Sequence, residues 1–107
     1  YSFDPNKNNP EEIFSSLNRL GFVQRNIHAS NKSSMWTQHQ CIILLREHTN
    51  IAVPCVTGVG IVVDESTLTD SYHFDEDCGM LVAHDPNNFR ILAMPELSLS
   101  KMNWILF

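Results

Sequence analysis

The amino-acid sequence predicts an α+β fold in which paired βαβββ units form a curved, mostly antiparallel sheet, with an abbreviated helix in the second unit. One amphipathic helix lies near the amino terminus, and apolar strand-like segments alternate with polar turns after it. The order of elements in the first half then repeats in the second. A chain of 107 residues forms one domain with a modest core. We place the first unit at about residues 1–47, the second at about 53–96 and an apolar tail at 97–107.

The helix has the strongest local signals. Asn9 is a typical N-cap, Pro10 suits the first helical position, and Glu12 stands at the third position of a capping box. An apolar stripe at helical spacing follows, formed by Ile13, Phe14, Leu17 and Leu20. Gly21 supplies the left-handed residue that ends a helix. We therefore expect one short helix that packs by this stripe.

Strand-like segments follow the helix. Residues 22–28 are compatible with a strand, and after a polar turn residues 35–45 become a continuous apolar run, as a strand does on entering a core. Residues 53–63 are rich in valine and predict a further strand. Gly58 and Gly60 within it indicate a bulge or the close approach of another backbone.

The second half ends in a predicted hairpin. Residues 65–79 are polar and acidic and are expected to hold a helical turn or a long loop. Residues 80–84 and 89–94 read as strands that flank Asp85-Pro86-Asn87-Asn88, which is a turn sequence. The tail ends in Trp104-Ile105-Leu106-Phe107, and an end this apolar is expected to dock on its own core or on a partner.

Charge and composition exclude several classes of protein. The formal net charge is −5 without any run of Lys or Arg, so no nucleic-acid partner is expected. A neutral or cationic small ligand, or solubility alone, fits this acidity better. No membrane is expected as a partner either, because no apolar stretch approaches the ~20 residues of a membrane span. Cys41, Cys55 and Cys78 lack CxxC spacing and are expected to be buried, reduced thiols of a cytoplasmic protein. The chain has no initiator Met, and we expect it to be part of a longer protein.

Two stretches carry a resemblance to a known superfamily. Leu20-Gly21-Phe22 after the amphipathic helix, and the ending HDPNNFRILAM, resemble the vicinal oxygen chelate superfamily of glyoxalases, bleomycin-resistance proteins and extradiol dioxygenases. The last hairpin of that superfamily commonly reads DPdGNxIEL. A narrower pattern consists of Leu20, Gly21, Phe22, His28, Ser30, Trp36 and Gln38. It resembles the amino-terminal module of 4-hydroxyphenylpyruvate dioxygenase-like proteins, over about residues 20 to 46.

The resemblance implies where a metal site would lie. Superfamily members build it from four positions on the inner face of the sheet, which active members fill with His, Glu or Gln. The matching positions here fall at or near Tyr1 or upstream of it, within Ile43-Leu44-Leu45, at Gly58 and at Leu92. At least three of the four are unable to bind a metal. The resemblance therefore implies a module whose usual metal positions are lost, and no cofactor is predicted.

Other polar side chains are candidates for binding a ligand. Trp36 and His39 lie in the strand-like run, and Tyr72 and His73 lie in the acidic segment, which superfamily members use as a pocket lid. Alternation along a strand would also place His39 and Cys41 on one face, where an imidazole could activate a thiolate. The other residues on that face are typical of a core, so they favour a packing role for this pair over a catalytic one.

A displaced metal site is the remaining alternative. It would bind Fe, Zn or Mn and would use His28, His39 or His84 as ligands. His28 and His39 face each other only if the intervening turn is centred between Ser33 and Ser34.

Four functional hypotheses therefore remain open. The first is a structural or small-ligand-binding half of a dioxygenase- or glyoxalase-type protein, present as a homodimer or paired with a second module of a longer chain. The second is a bleomycin-resistance-like protein that sequesters a basic ligand. The third is a metal-dependent dioxygenase or lyase with a displaced or dimer-completed site, and the fourth is an interaction domain whose tail, residues 97–107, docks elsewhere in a larger chain.

Overall fold

The computed structural model describes residues 1–63, 66, 68–95 and 103–106. Its elements in chain order are β1 (Ser2–Phe3), α1 (Pro10–Arg19), β2 (Val23–His28), β3 (Ser33–Gln38), β4 (Cys41–Glu47), β5 (Gly58–Val63), β6 (His73–Asp75), β7 (Met80–His84), β8 (Arg90–Pro95) and β9 (Trp104–Leu106). The described part of the chain is therefore α+β, as the sequence predicts. It contains no helix long and apolar enough to cross a membrane.

The strands form two mixed sheets, whereas the sequence predicts one curved and mostly antiparallel sheet. The first sheet has the order β1-β4-β3-β2-β9 and the second has the order β5-β8-β7-β6. β1 is parallel to β4 and β5 is parallel to β8, while the other pairs are antiparallel. An isolated bridge between Ser2 and Cys55 joins the first sheet to the chain before β5. The strand order of the second sheet thus repeats that of β1 to β4 in the first.

Helix α1 begins and ends where its sequence signals place it. The Asn9 side chain accepts a hydrogen bond from the Glu11 N–H at 3.0 Å, and Gly21 has a φ of 95°. Leu17 is buried, but Leu20 is 66% exposed, so its assignment to the apolar stripe is wrong. The reason is that Leu20 is the C-cap, and its side chain lies beyond the face that packs.

The first sheet is covered on both faces. One face packs against α1 and forms a buried cluster of Phe3, Leu17, Trp36 and Leu45. The other face packs against the second sheet and forms the cluster of Met35, Cys78, Met80, Val82, Leu92 and Trp104. Because side chains alternate along a strand, adjacent residues such as Met35 and Trp36 enter different clusters.

Strand β9 confirms that the apolar tail docks on its own core. It pairs with β2 through Asn26↔Leu106, Ile27↔Ile105 and His28↔Trp104. Trp104 is 3% exposed, and its Nε1–H donates to the Cys78 carbonyl at 2.9 Å. Residues 96–102 and 107 of the predicted tail lie outside the described residues.

Three element boundaries differ from the prediction. The run 35–45 is divided by a turn at His39 and Gln40, where His39 has a φ of 53°. The strand predicted over 53–63 begins only at Gly58. The acidic segment contains strand β6, which pairs with β7. The abbreviated second helix was expected in this segment, and residues 64, 65 and 67 of it lie outside the described residues.

Candidate functional site

A cavity of about 560 Å³ lies between the two sheets. Apolar side chains of Ile42 and Leu44 on β4 and of Leu92 on β8 form much of its wall, and Gly58 and Gly60 contribute backbone from β5. The volume lies within the ~300–1,000 Å³ range of small-molecule sites. We call this cavity the inter-sheet cleft.

Residues at the positions that the superfamily resemblance indicates border the inter-sheet cleft. Tyr1, Gly58 and Leu92 line it, and so do Ile43 and Leu44 of the range Ile43-Leu44-Leu45. Their side chains are a phenol, aliphatic groups and a hydrogen atom. Among the described residues, no group of three or more His, Cys, Asp or Glu is placed to hold a metal ion.

Two arginines project from the strands that form the cleft. Arg46 on β4 lies between Ser2 of β1 and Ser33 of β3, and both serines are buried. Arg90 on β8 lies beside Gly58 of β5, where an added Cβ would be 2.7 Å from the Arg90 carbonyl oxygen. These small neighbours leave room for both long side chains, which line the cleft.

Carboxylates contact only part of each guanidinium group. Arg46 Nη2 lies 3.5 Å from Asp77 Oδ2, and Arg90 Nη1 lies 3.9 Å from Asp75 Oδ2. Arg90 Nη2 also lies 3.9 Å from the Cys78 sulfur. Burial lowers the pKa of Arg90, and the nearby Arg46 charge lowers it further. Guanidinium nevertheless remains protonated in proteins, so both arginine side chains at the cleft are cationic.

The candidate ligand residues predicted from sequence do not line the inter-sheet cleft. Trp36 is 3% exposed and stacks on Phe14 at a centroid distance of 5.3 Å, on the helix side of the first sheet. His39 is exposed in the β3–β4 turn. Tyr72 is half-buried before β6, and His73 is exposed on β6. These four side chains belong to three separate parts of the fold.

The histidines proposed for a displaced metal site are also dispersed. His28 is buried, its Nδ1 lies 2.9 Å from Ser30 Oγ, and its ring meets the Trp104 ring edge-on. His39 lies at the opposite end of β3, on the order of 15–20 Å away for a six-residue strand. The facing of His28 and His39, which the sequence left open, therefore does not occur. His84 instead stacks on His73, with ring centroids 5.2 Å apart.

Sequence reasoning missed Arg46 and Arg90. Arg90 precedes by two residues Leu92, which the resemblance assigned to the inner face, so strand alternation would have placed Arg90 there. Arg46 had no such signal, because the resemblance placed the inner position only within the range Ile43-Leu44-Leu45. The expectation of a neutral or cationic ligand came from the net charge, which does not report the charge of a cleft.

The cysteines differ from the expected buried set. Cys41 and Cys55 are exposed, because one follows a hairpin turn and the other precedes β5, whereas Cys78 is buried. Burial raises the pKa of the Cys78 thiol, with a smaller contribution from Asp75. The pairing of His39 and Cys41 on one strand face is also wrong, because His39 belongs to the turn.

We expect two of the three thiols of the native protein to react rapidly with Ellman's reagent at pH 8, and the third only after unfolding in urea. The thiolate is the reactive species, and Cys78 is both covered and shifted toward the thiol form. The double variant Cys41→Ser/Cys55→Ser should show no fast reaction. Rapid labelling of this variant would contradict the burial of Cys78.

Comparisons of the chain with protein-family models, with curated proteins and with solved structures give no significant match.

Proposed function

We propose that the chain is a small-ligand-binding module of the vicinal oxygen chelate type that does not use the superfamily's metal site. The ligand occupies the inter-sheet cleft. The strand order supports this relationship, because both units place their first strand parallel and next to their fourth. The unit boundaries near residues 1–47 and 53–96 follow the same repeat.

One observation carries the proposal. The resemblance puts the superfamily's metal positions at or near Tyr1 or upstream of it, within Ile43-Leu44-Leu45, at Gly58 and at Leu92. One cavity of suitable volume is bordered by Tyr1, Ile43, Leu44, Gly58 and Leu92. None of them presents an imidazole or a carboxylate to that cavity. The chain thus keeps the location of the superfamily's site while its side chains favour holding an organic molecule over coordinating a divalent cation.

The alternatives receive less support from the described residues. A metal-dependent dioxygenase or lyase would need several ligands together, whereas His28 and His39 lie at opposite ends of β3. A basic ligand of the bleomycin-resistance type would have to lie against Arg46 and Arg90. Pairing with a second copy or a second module remains a prediction.

The proposal is tested by metal analysis and by ligand screening on the same sample. The untagged chain, purified without chelator, should contain less than about 0.1 Fe, Zn or Mn per chain by mass spectrometry, since tight sites need several ligands. A screen of neutral, cationic and anionic fragments by ¹H–¹⁵N NMR should give saturable shifts at amides of cleft residues. Stoichiometric metal, or no fragment that shifts these amides, would refute the proposal.

A matched pair of variants locates the binding site. Ile42 lines the cleft and is 51% exposed, so Ile42→Trp should obstruct the cleft without unfolding the protein. Val23 on β2 is 48% exposed and away from the cleft, so Val23→Trp is the control. Fragment binding should weaken at least about 10-fold in the first variant and remain unchanged in the second.

A further inference from the structure

Four buried polar atoms of the described residues have no hydrogen-bond partner, and all four belong to residues that line the inter-sheet cleft. They are Ser33 Oγ, Arg46 Nε, Arg90 Nε and Arg90 Nη1. Arg90 has a side chain only 9% exposed, so water cannot readily satisfy it. Buried donors normally have partners, and these atoms lack one although their residues border a cavity large enough for an acceptor group.

The charges around the arginines define what that ligand carries. Lys32 and Arg46 share Asp77, at 3.6 and 3.5 Å, and Arg90 lies 3.9 Å from Asp75. Three cationic side chains therefore meet two carboxylates, which leaves one positive charge. A single negative charge balances this cluster, whereas a dianion would face uncompensated repulsion from the two aspartates.

We propose that the inter-sheet cleft binds a small organic monocarboxylate, whose carboxylate is held by Arg46 and Arg90 and whose apolar body lies against Leu44 and Leu92. This inference rests on the proposed function and names the class of its ligand. Guanidinium donates paired N–H···O bonds to planar carboxylates through its Nε–Nη2 edge or its Nη1–Nη2 edge, and Arg90 has one donor without a hydrogen-bond partner on each edge, Nε and Nη1. Ser33 Oγ can donate a further hydrogen bond.

The apolar walls of the cleft are the reason for proposing an acid with an apolar body. Beyond the arginines, the lining includes Ile42, Leu44, Val56 and Leu92. Contact with these aliphatic side chains removes apolar surface of the ligand from water. A bare anion such as formate would leave this surface uncovered and should bind poorly.

The test compares matched acids and amides on the wild-type protein. Benzoate, cyclohexanecarboxylate and hexanoate are titrated by NMR beside benzamide, cyclohexanecarboxamide and hexanamide, with phenyl phosphate as the dianion and benzamidine as the cation. We expect at least one acid to bind about 10- to 100-fold more tightly than its amide, as expected for charge-assisted hydrogen bonds. Phenyl phosphate and benzamidine should bind more weakly than benzoate. The side-chain Nε–H resonances of Arg46 and Arg90 should shift during the acid titration.

Arginine variants then assign the contact. Arg46→Gln and Arg90→Lys should each weaken acid binding about 10-fold or more, and amide binding should change little. Arg25→Gln on the exposed part of β2 is the matched control and should have no effect. Because Arg90 is buried, its variant is first checked for a native thermal transition, and the wild-type acid and amide comparison stands even if that variant does not fold.

The outcomes separate this inference from the proposed function. If acids and amides bind the cleft equally, or if phenyl phosphate or benzamidine binds best, the monocarboxylate inference is overturned while ligand binding by the cleft survives. If no compound of any charge shifts the cleft amides, both proposals fail. Both proposals are supported if the acids bind more tightly than the amides, and if this binding is unchanged in Arg25→Gln and weaker in Arg46→Gln.

Discussion

Replacing Trp104 with alanine is expected to lower the free energy of unfolding by about 3–5 kcal/mol, which is a large part of the ~5–15 kcal/mol that stabilises a domain. The indole is 3% exposed in the cluster between the sheets, so its loss leaves a cavity there. It also removes the hydrogen bond to the Cys78 carbonyl, which becomes a buried acceptor without its donor. Urea unfolding followed by far-ultraviolet circular dichroism measures the change.

The neighbouring residue provides the control for Trp104. Ile105 lies on the same strand and is 55% exposed, so Ile105→Ala should cost less than about 1 kcal/mol. Trp104→Phe keeps an aromatic ring but removes the hydrogen bond. Its loss of unfolding free energy should lie between those of Trp104→Ala and Ile105→Ala. If Trp104→Ala matched Ile105→Ala, docking of β9 would not contribute to the core.

Gly58→Val is expected to have the second large effect, a loss of about 1–3 kcal/mol or more in unfolding free energy, together with weaker ligand binding. A Cβ at this position would meet the Arg90 carbonyl oxygen at 2.7 Å and the Arg90 Cβ at 2.9 Å. Since the first of these is a backbone atom, β5 must move away from β8. Urea unfolding measures the loss, and faster exchange of the Arg90 amide, which donates to the Thr57 carbonyl, reports the separation of the strands.

Val59 supplies the comparison for Gly58. It follows Gly58 on β5 and is 47% exposed, so Val59→Ala should change stability by less than about 1 kcal/mol and leave the Arg90 amide protected. If Gly58→Val had the same free energy of unfolding as the wild type, β5 and β8 could separate without loss of stability. That result would contradict the close approach of Gly58 to the Arg90 backbone.

Local chemistry explains which elements could be predicted from the sequence. Asn9 and Pro10 specify the start of α1, and the Asp85 carboxylate accepts hydrogen bonds from the Asn87 and Phe89 N–H groups in the turn of the last hairpin. The turn at His39 could not be predicted in this way. It contains neither Gly nor Asn, the usual residues at positive φ, and an apolar run continues after it.

The candidate site was harder to predict because it depends on pairing between distant strands. Leu92 and Gly58 were identified by position within a resemblance, and the structure does bring them to one cavity. Arg46 and Arg90 had no motif, and an arginine near the end of a strand ordinarily lies in solvent. The register places Gly58 beside Arg90, which is buried, and Ser33 beside Arg46, which is half-buried.

Strand β9 has a consequence for the order in which the protein forms during synthesis. Its partner β2 leaves the ribosome early, whereas residues 104–106 follow the whole of both units. The first sheet therefore has an unpaired edge at β2, and the cluster between the sheets lacks an indole, until residues 104–106 have been synthesised. Contacts of such long sequence separation slow folding, and an open edge can pair with other chains. A nascent or truncated chain that ends before residue 103 should therefore depend on chaperones and be prone to aggregation.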